Sequence, residues 1–385
     1  KRTARILSGM LGGSPEKWLK KIQSPKPFVW LERQISIETA SKIAKRNLPG
    51  VFIEAENKRL YPNGTLAAHV LGFTDIDGNG LSGIELKLNE DLLREEPRFG
   101  LLRDGRGKPS YVGRQILDEA KLRKGIYLTL DRRLQNLLEE ELERSMEESH
   151  ARSAMGVILH PVTGEILALA QRPTFDPAAA NRATPEALTN GLVSNLLEPG
   201  STLKVLFAAQ AIEQGLLKRE SILDCEGGKY RVGDKTFSEA HAHPFRQLSL
   251  EKVIRFSSNI GAVKVAQTLG ASRFAATVDK FGLTSKTGVD LPGEACAAKR
   301  PDKFWTPIHL ATAGFGQGIS ATPLQVTASF LPFANGGFLP RPHLVLRSEE
   351  SKNEPSKRVL STKTVEAMRA ILTSVTEEEG GTGLR

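Results

Sequence analysis

Between Lys204 and Ile212 the chain is apolar on almost every face a helix could present: Val205, Leu206, Phe207, Ala208, Ala209, Ala211 and Ile212 are interrupted only by Gln210. This pattern predicts a buried helix, broken from what precedes it by Pro199-Gly200 and closing at Gly215. Further upstream, a strand from Ile126 leads into a long charged helix that starts near Asp131 and runs through Glu147. A hairpin follows, Met155 to Leu159 and Ile166 to Ala170 about the turn His160 to Glu165. Helices are expected to dominate from there to about residue 325. Residues 1–123 read differently, as short strands among turns such as Pro62-Asn63-Gly64, Asp77-Gly78-Asn79-Gly80 and Asp104-Gly105-Arg106-Gly107. No catalytic pattern lies there, no internal repeat is evident, and the one low-complexity patch is the polar stretch from Ser348 to Lys357.

With 385 residues, 39% of them hydrophobic, the chain is long enough for two domains with a sizeable core. No window of about 18 consecutive apolar residues is present, so nothing in it is expected to span a membrane. Nearly all of the net charge of +9 sits at one end: residues 1–60 hold 13 Lys/Arg against 5 Asp/Glu. Such a segment suits either anionic lipid headgroups or a solvated face of an extended domain. Nucleic acid is disfavoured, because no aromatic-interleaved basic motif or zinc pattern accompanies the charge. The only cysteines, Cys225 and Cys296, stand outside any Cys-x-x-Cys pair, so a metal site is not expected, while a disulfide between them stays open. His241 and His243 follow Glu239 in a stretch that reads as a loop, where their spacing suggests chance.

The candidate chemistry lies at the mouth of the apolar helix, in Glu198-Pro199-Gly200-Ser201-Thr202-Leu203-Lys204. Residues three apart share a helix face, so Ser201 and Lys204 can meet where unpaired backbone N–H groups and the positive dipole end favour a developing oxyanion. A serine hydroxyl needs a base to take its proton, and a lysine can serve if burial brings its pKa toward neutrality. The bare Ser-x-x-Lys pattern recurs at Ser14/Lys17 and Ser249/Lys252, which read as a Gly-Gly-Ser-Pro turn and the capped start of an exposed helix. Downstream, Ser257-Ser258-Asn259 inserts polar groups between apolar stretches. A hydroxyl and an amide there suit proton relay and the holding of a substrate amide. Ser-x-Asn also recurs, at Ser351/Asn353.

Ser-x-x-Lys followed by Ser-x-Asn resembles the signature of penicillin-binding proteins and class A β-lactamases. Further stretches look like class B penicillin-binding proteins, most of all the cell-division (septal) transpeptidases: Arg59 to Pro62, Ala67 to Phe73, Gly80 to Glu85, Thr129 to Asp131 with Gln135, Phe315 to Ile319 with Thr322 to Gln325, and Ala334 to Gly337. The resemblance covers nearly the whole chain. It implies a mixed α+β multidomain protein: an extended N-terminal pedestal at 1–123, similar to the family's dimerisation domain, and a transpeptidase domain at 124–385 with an antiparallel sheet flanked by helices. It makes Ser201 the acylated nucleophile, Lys204 its base, Ser257 the carrier of a proton to the leaving amine, and Asn259 the holder of the substrate amide. No cofactor or metal is implied. The implied partners are peptidoglycan stem peptides, β-lactams and membrane proteins of the division complex, among them a lipid II polymerase. The implied location is the cytoplasmic membrane, through a single N-terminal anchor ahead of Lys1, with the catalytic domain extracytoplasmic.

The family's third motif, Lys-Thr-Gly, belongs on an edge strand late in the chain and supplies the second oxyanion donor. Lys286-Thr287-Gly288 falls in a turn-rich segment before Phe315-Gly316-Gln317-Gly318 and reads as a decoy. A segment like Glu378 to Gly383 precedes the true strand in the family, so that strand is expected beyond Arg385. Either the sequence stops short of it, or the protein is nicked after a basic residue and the remainder is a separate chain. Two other functions compete: a β-lactam-hydrolysing or sensing serine enzyme of the same fold, and a non-catalytic division scaffold. The first lacks a placed deacylating base, since Glu85 to Asn89, which mimics Glu-x-x-x-Asn, precedes the nucleophile in the pedestal. A bifunctional glycosyltransferase is disfavoured because the N-terminal region does not resemble that domain.

Overall fold

The structure is a computed structural model that describes residues 1–92, 102–103, 109–110, 125–240, 244–346 and 356–383. Its contacts divide the chain into two compact units, one of Lys1–Pro62 with Thr74–Asn79 and one of Asn63–Phe73 with Gly80–Arg385. The first unit departs from the expected short strands. It holds three helices, α1 (Arg2–Leu11), α2 (Pro15–Ile22) and α3 (Ile37–Ala44). The reason is local, because Ala4, Leu7 and Met10-Leu11 recur at helical spacing and pack with Trp18 and Ile43 into a small core. Ser14 and Ser36 cap α2 and α3 by accepting from Lys17 N and Thr39 N. The serine of the first stray Ser-x-x-Lys is therefore a helix cap.

In the second unit Asp131 accepts from Arg133 N and Leu134 N and starts α4 (Arg132–Ser149) where the sequence places it. β1 (Ala154–Leu159) and β2 (Ile166–Arg172) form the expected antiparallel hairpin. The strand foreseen from Ile126 is only a bridge, Leu128 to Val345, with a second bridge from Glu165 to His343. Buried Gln135 clamps α4 to β2: its Nε2 donates to Leu169 O at 2.9 Å, and its Oε1 accepts from Leu169 N at 2.8 Å. One turn on, Glu139 accepts from Arg172 and from Ala67 N, so α4 is pinned by polar contacts in a dry layer.

The apolar run becomes α5 (Lys204–Glu213), preceded by a 3₁₀ turn at Gly200–Leu203 and followed by Gly215 at φ 69°. Between residues 222 and 249 the expectation of helices fails. Four short strands stand there: β3 (Ile222–Asp224), β4 (Lys229–Val232), β5 (Lys235–Ser238) and β6 (Gln247–Ser249), with β3 antiparallel to β6 and β4 to β5. Val232 and Phe237 are buried among exposed neighbours, a period-two pattern about Gly233-Asp234 too short to stand out against the helical stretches around it. Then come α6 (Leu250–Arg255), α7 (Asn259–Lys280, interrupted at Gly270), α8 (Pro307–Gly314), α9 (Pro323–Ser329) and α10 (Thr362–Glu377). Ser249 caps α6, but Leu250, Val253 and Ile254 are buried, so that helix is less exposed than its charges suggest. The main core joins α5, α7 and α10 through Leu206, Phe207, Ile260, Phe274, Met368 and Ile371. At its centre Phe207 stacks on Phe274 with ring centroids 4.1 Å apart. The polar patch expected from Ser348 to Lys357 lies almost wholly outside the described residues.

Gln135→Leu keeps the volume but leaves Leu169 N and O without these partners in a buried layer. The expected cost is about 2–4 kcal/mol in urea denaturation, and a loss below about 0.5 kcal/mol would show that the clamp contributes little.

Candidate active site

Ser201 lies in the 3₁₀ turn ahead of α5. Its side chain is exposed, its carbonyl accepts from Lys204 N, and its own N–H has no acceptor among the described residues. The turn is held from outside by residues 316–321. Leu197 and Ala321 exchange two backbone bonds of 2.9 Å, Gly200 N donates to Gly316 O at 3.2 Å, and Gly318 N donates to Glu198 Oε1 at 2.9 Å. A Cβ on Gly316, whose φ is 85°, would fall 1.8 Å from Gly200 O, so only glycine permits this approach.

Lys204 begins α5 and is only 3% exposed. Its Nζ donates to Ser257 O at 2.6 Å, to Ser257 Oγ at 3.1 Å and to Asn259 Oδ1 at 2.9 Å. The structure thus brings together Lys204, Ser257 and Asn259. Ser201 is one turn away, and among the described residues no hydrogen bond joins its hydroxyl to Nζ. Burial pulls the Lys204 ammonium down to about 8, against the opposing attraction of the Glu239 carboxylate. Ser257 presents both its oxygens from a left-handed backbone conformation, φ 53°, which costs a non-glycine residue about 1–2 kcal/mol. Ser257 N donates to Ile254 O and Ser258 N to Val253 O, so the end of α6 fixes the turn.

Glu239 escaped the sequence analysis as a site residue. It follows β5, and its carboxylate accepts from Ser258 Oγ and Asn259 N, both at 2.6 Å, and from Ile260 N at 3.4 Å. The available signal was an acidic residue upstream of a Ser-x-Asn that opens a helix, but loop length hides such a pairing. Arg255, just before the turn, pairs with Glu378, and its carbonyl accepts from Thr382 N at 3.2 Å. The Glu378 to Gly383 segment therefore abuts the Ser257 turn.

Lys286-Thr287-Gly288 is a turn: Thr287 N and Oγ1 and Gly288 N donate to Glu294, while Gly288 O accepts from Arg341. Asn89 Oδ1 accepts from Gly80 N, which gives that asparagine a local structural job. Cys225 and Cys296 are free thiols, the first fully buried beside Ser258 Oγ at 3.7 Å. Among the described residues no group of three or more His, Cys, Asp or Glu is placed to hold a metal, and His241 and His243 lie outside them. No helix among them is long and apolar enough to cross a membrane. Ser351 and Asn353 also lie outside the described residues.

A buried lysine tied to a Ser-x-Asn turn, one helical turn from an exposed serine, matches a known family over most of the chain. Residues 154–385 match the penicillin-binding protein transpeptidase domain, and residues 1–96 match the penicillin-binding protein dimerisation domain. The chain belongs to the penicillin-binding protein family, and the pairing of these two domains makes it one of the class B type. It is 34% identical over 367 residues to a probable peptidoglycan D,D-transpeptidase, PenA, of Neisseria gonorrhoeae, covering 94% of this chain and 61% of the relative. To the peptidoglycan D,D-transpeptidase FtsI of Escherichia coli it is 30% identical, covering 92% and 59%. The chain thus spans about three fifths of these relatives' length. Its fold matches crystalline penicillin-binding protein 3 of Mycobacterium tuberculosis with a TM-score of 0.70 and 31% identity, over 84% of this chain and 71% of that one.

Gly316→Ala is expected to cost about 2–3 kcal/mol in thermal or urea unfolding, because the methyl meets the Gly200 backbone. At Gly318 an added Cβ meets nothing within 4 Å, so Gly318→Ala, with only its positive φ to disturb, should cost about 1 kcal/mol. Equal costs would remove the contact as the cause.

Proposed function

We propose that the chain carries the acylating centre of a serine-type peptidoglycan D,D-transpeptidase working in septal cell-wall synthesis. Ser201 Oγ attacks the carbonyl of the penultimate D-alanine of a stem peptide while its proton passes to neutral Lys204 Nζ. The C–N bond then breaks, and the proton reaches the departing D-alanine amine by way of Ser257 Oγ. An amine of a second stem peptide attacks the acyl-enzyme, returns its proton along the same route and frees Ser201. The N–H of Ser201 is one donor for the oxyanion, and Asn259 Nδ2 orients the substrate amide.

The observation that carries this reading is the convergence on Lys204 Nζ of Ser257 and Asn259, from 53 and 55 residues away. As an ammonium, Lys204 has all three protons matched to acceptors. On losing one it releases an acceptor and gains a lone pair that can turn toward Ser201. β-Lactams would stall the enzyme as acyl adducts, in keeping with a related penicillin-binding protein 3 solved in complex with ampicillin. Residues 1–123 would serve as pedestal and 124–385 as transpeptidase domain. An N-terminal single-pass anchor in the cytoplasmic membrane, an extracytoplasmic catalytic domain and division-complex partners including a lipid II polymerase complete the proposal.

In the full-length protein a fluorescent penicillin should label Ser201, found by peptide mass spectrometry, and Ser201→Ala should abolish the label. A persistent label would reject the serine. Lys204→Ala should slow acylation at least about 100-fold without unfolding, and a wild-type rate would reject the lysine as base. Because the working form is the neutral amine, acylation should rise with pH and reach half its plateau near about 8. A rate flat from about pH 6 to about pH 9 would count against a lysine base.

A further inference from the structure

We propose that Glu239 is the positioning residue of this centre: its carboxylate ties down Ser258 and the first N–H groups of α7 so that Asn259 and Ser257 face Lys204. The inference rests on the acyl-transfer reading above and extends it to a residue outside the three motifs.

The geometry is that of a clamp. Glu239 accepts three bonds, from Ser258 Oγ, Asn259 N and Ile260 N, and the preceding residue adds a fourth, Asn259 Nδ2 to Ser238 O at 3.2 Å. An anion at the first turn of α7 is favoured by the dipole of the stretch before Gly270 and by the unpaired N–H groups there. With Nδ2 turned to Ser238, Asn259 Oδ1 is the atom left to face Lys204, and it accepts from Nζ at 2.9 Å. Ser258 Oγ passes the restraint on by accepting from Gly261 N at 2.9 Å. The base of the β4–β5 hairpin therefore sets where the amide stands.

The charge acts separately from the bonds. Among the described residues, Glu239 is the ionised group whose attraction opposes the effect of burial on Lys204. Among the described residues, Cys225, just after β3, lies 3.7 Å from Ser258 Oγ with its thiol pushed up chiefly by burial, and the charges of Glu239, Asp224 and Lys264 also act on that thiol, Lys264 being paired with Glu226 at 2.8 Å. Removing the Glu239 charge favours the neutral amine. Lys204 should then titrate at lower pH, and the acid limb of acylation should move the same way.

The test compares Glu239→Gln, Glu239→Asp and Glu239→Ala in the full-length protein, reading the penicillin acylation rate from about pH 6 to about pH 10. His241→Gln and His243→Gln are placed in every background, so that no imidazole close to Glu239 in sequence contributes to the pH profile. Glu239→Gln should move the acid limb down by about one pH unit. Glu239→Asp, which keeps the charge, should lower the rate with the limb in place, and Glu239→Ala should lose about 100-fold in rate. A limb unmoved in Glu239→Gln would overturn the charge role, and a wild-type rate in Glu239→Ala would overturn the clamp. A ¹³C-lysine NMR titration, with the Lys204 signal assigned by its loss in Lys204→Arg, reads the same shift without any acylation. If wild-type protein fails to acylate at Ser201, the transpeptidase reading falls, while the titration still decides whether Glu239 acts on Lys204.

Discussion

A cation taken out of water is the constraint around which this structure is arranged. Lys204 sits at the start of a helix whose other faces are filled with Val, Leu, Phe and Ala, and burial there penalises its charged form. Three acceptors must be delivered to one nitrogen, and all come from residues more than fifty positions downstream. That requirement accounts for the left-handed Ser257, which points a carbonyl and a hydroxyl toward the same atom. It also accounts for a carboxylate at the start of α7, which fixes the asparagine and balances part of the buried charge.

Two neighbouring contacts keep this arrangement from relaxing. On the serine side, the backbone of residues 316–321 holds the turn from Leu197 to Gly200. On the Ser257 side, Arg255 links the end of α6 to Glu378 and Thr382. Both are tertiary contacts between segments remote in sequence, so the site depends on the packed core of α5, α7 and α10 rather than on any single loop. The turn thus sets an exposed serine beside a lysine that is almost wholly buried.

Ser201 and Lys204 were legible in the sequence because a helix makes three-residue spacing a statement about space. Ser257 and Asn259 were legible as polar residues amid apolar ones, although their meeting with Lys204 is a tertiary fact that no local pattern carries. The boundaries of α4 and the β1–β2 hairpin followed from Asp131 and from a turn between two apolar runs. What failed was short or misleading locally. The strands between 222 and 249 are three or four residues each, too brief for a period to declare itself. In the first 44 residues the sequence suggests short strands and turns, since Gly and Pro between α1, α2 and α3 obscure a helical repeat that runs for only 8 to 10 residues at a time. Glu239 stayed hidden because nothing in an acidic loop residue announces which helix end it will meet.

The contact between Gly200 and Gly316 is made by main chain alone. It recognises no side-chain chemistry and offers none to be tuned. Change in the side chains around this turn must therefore run through nearby residues, such as Thr202, Gln317 and Ser320, while the Gly200–Gly316 contact stays as bare as it is now.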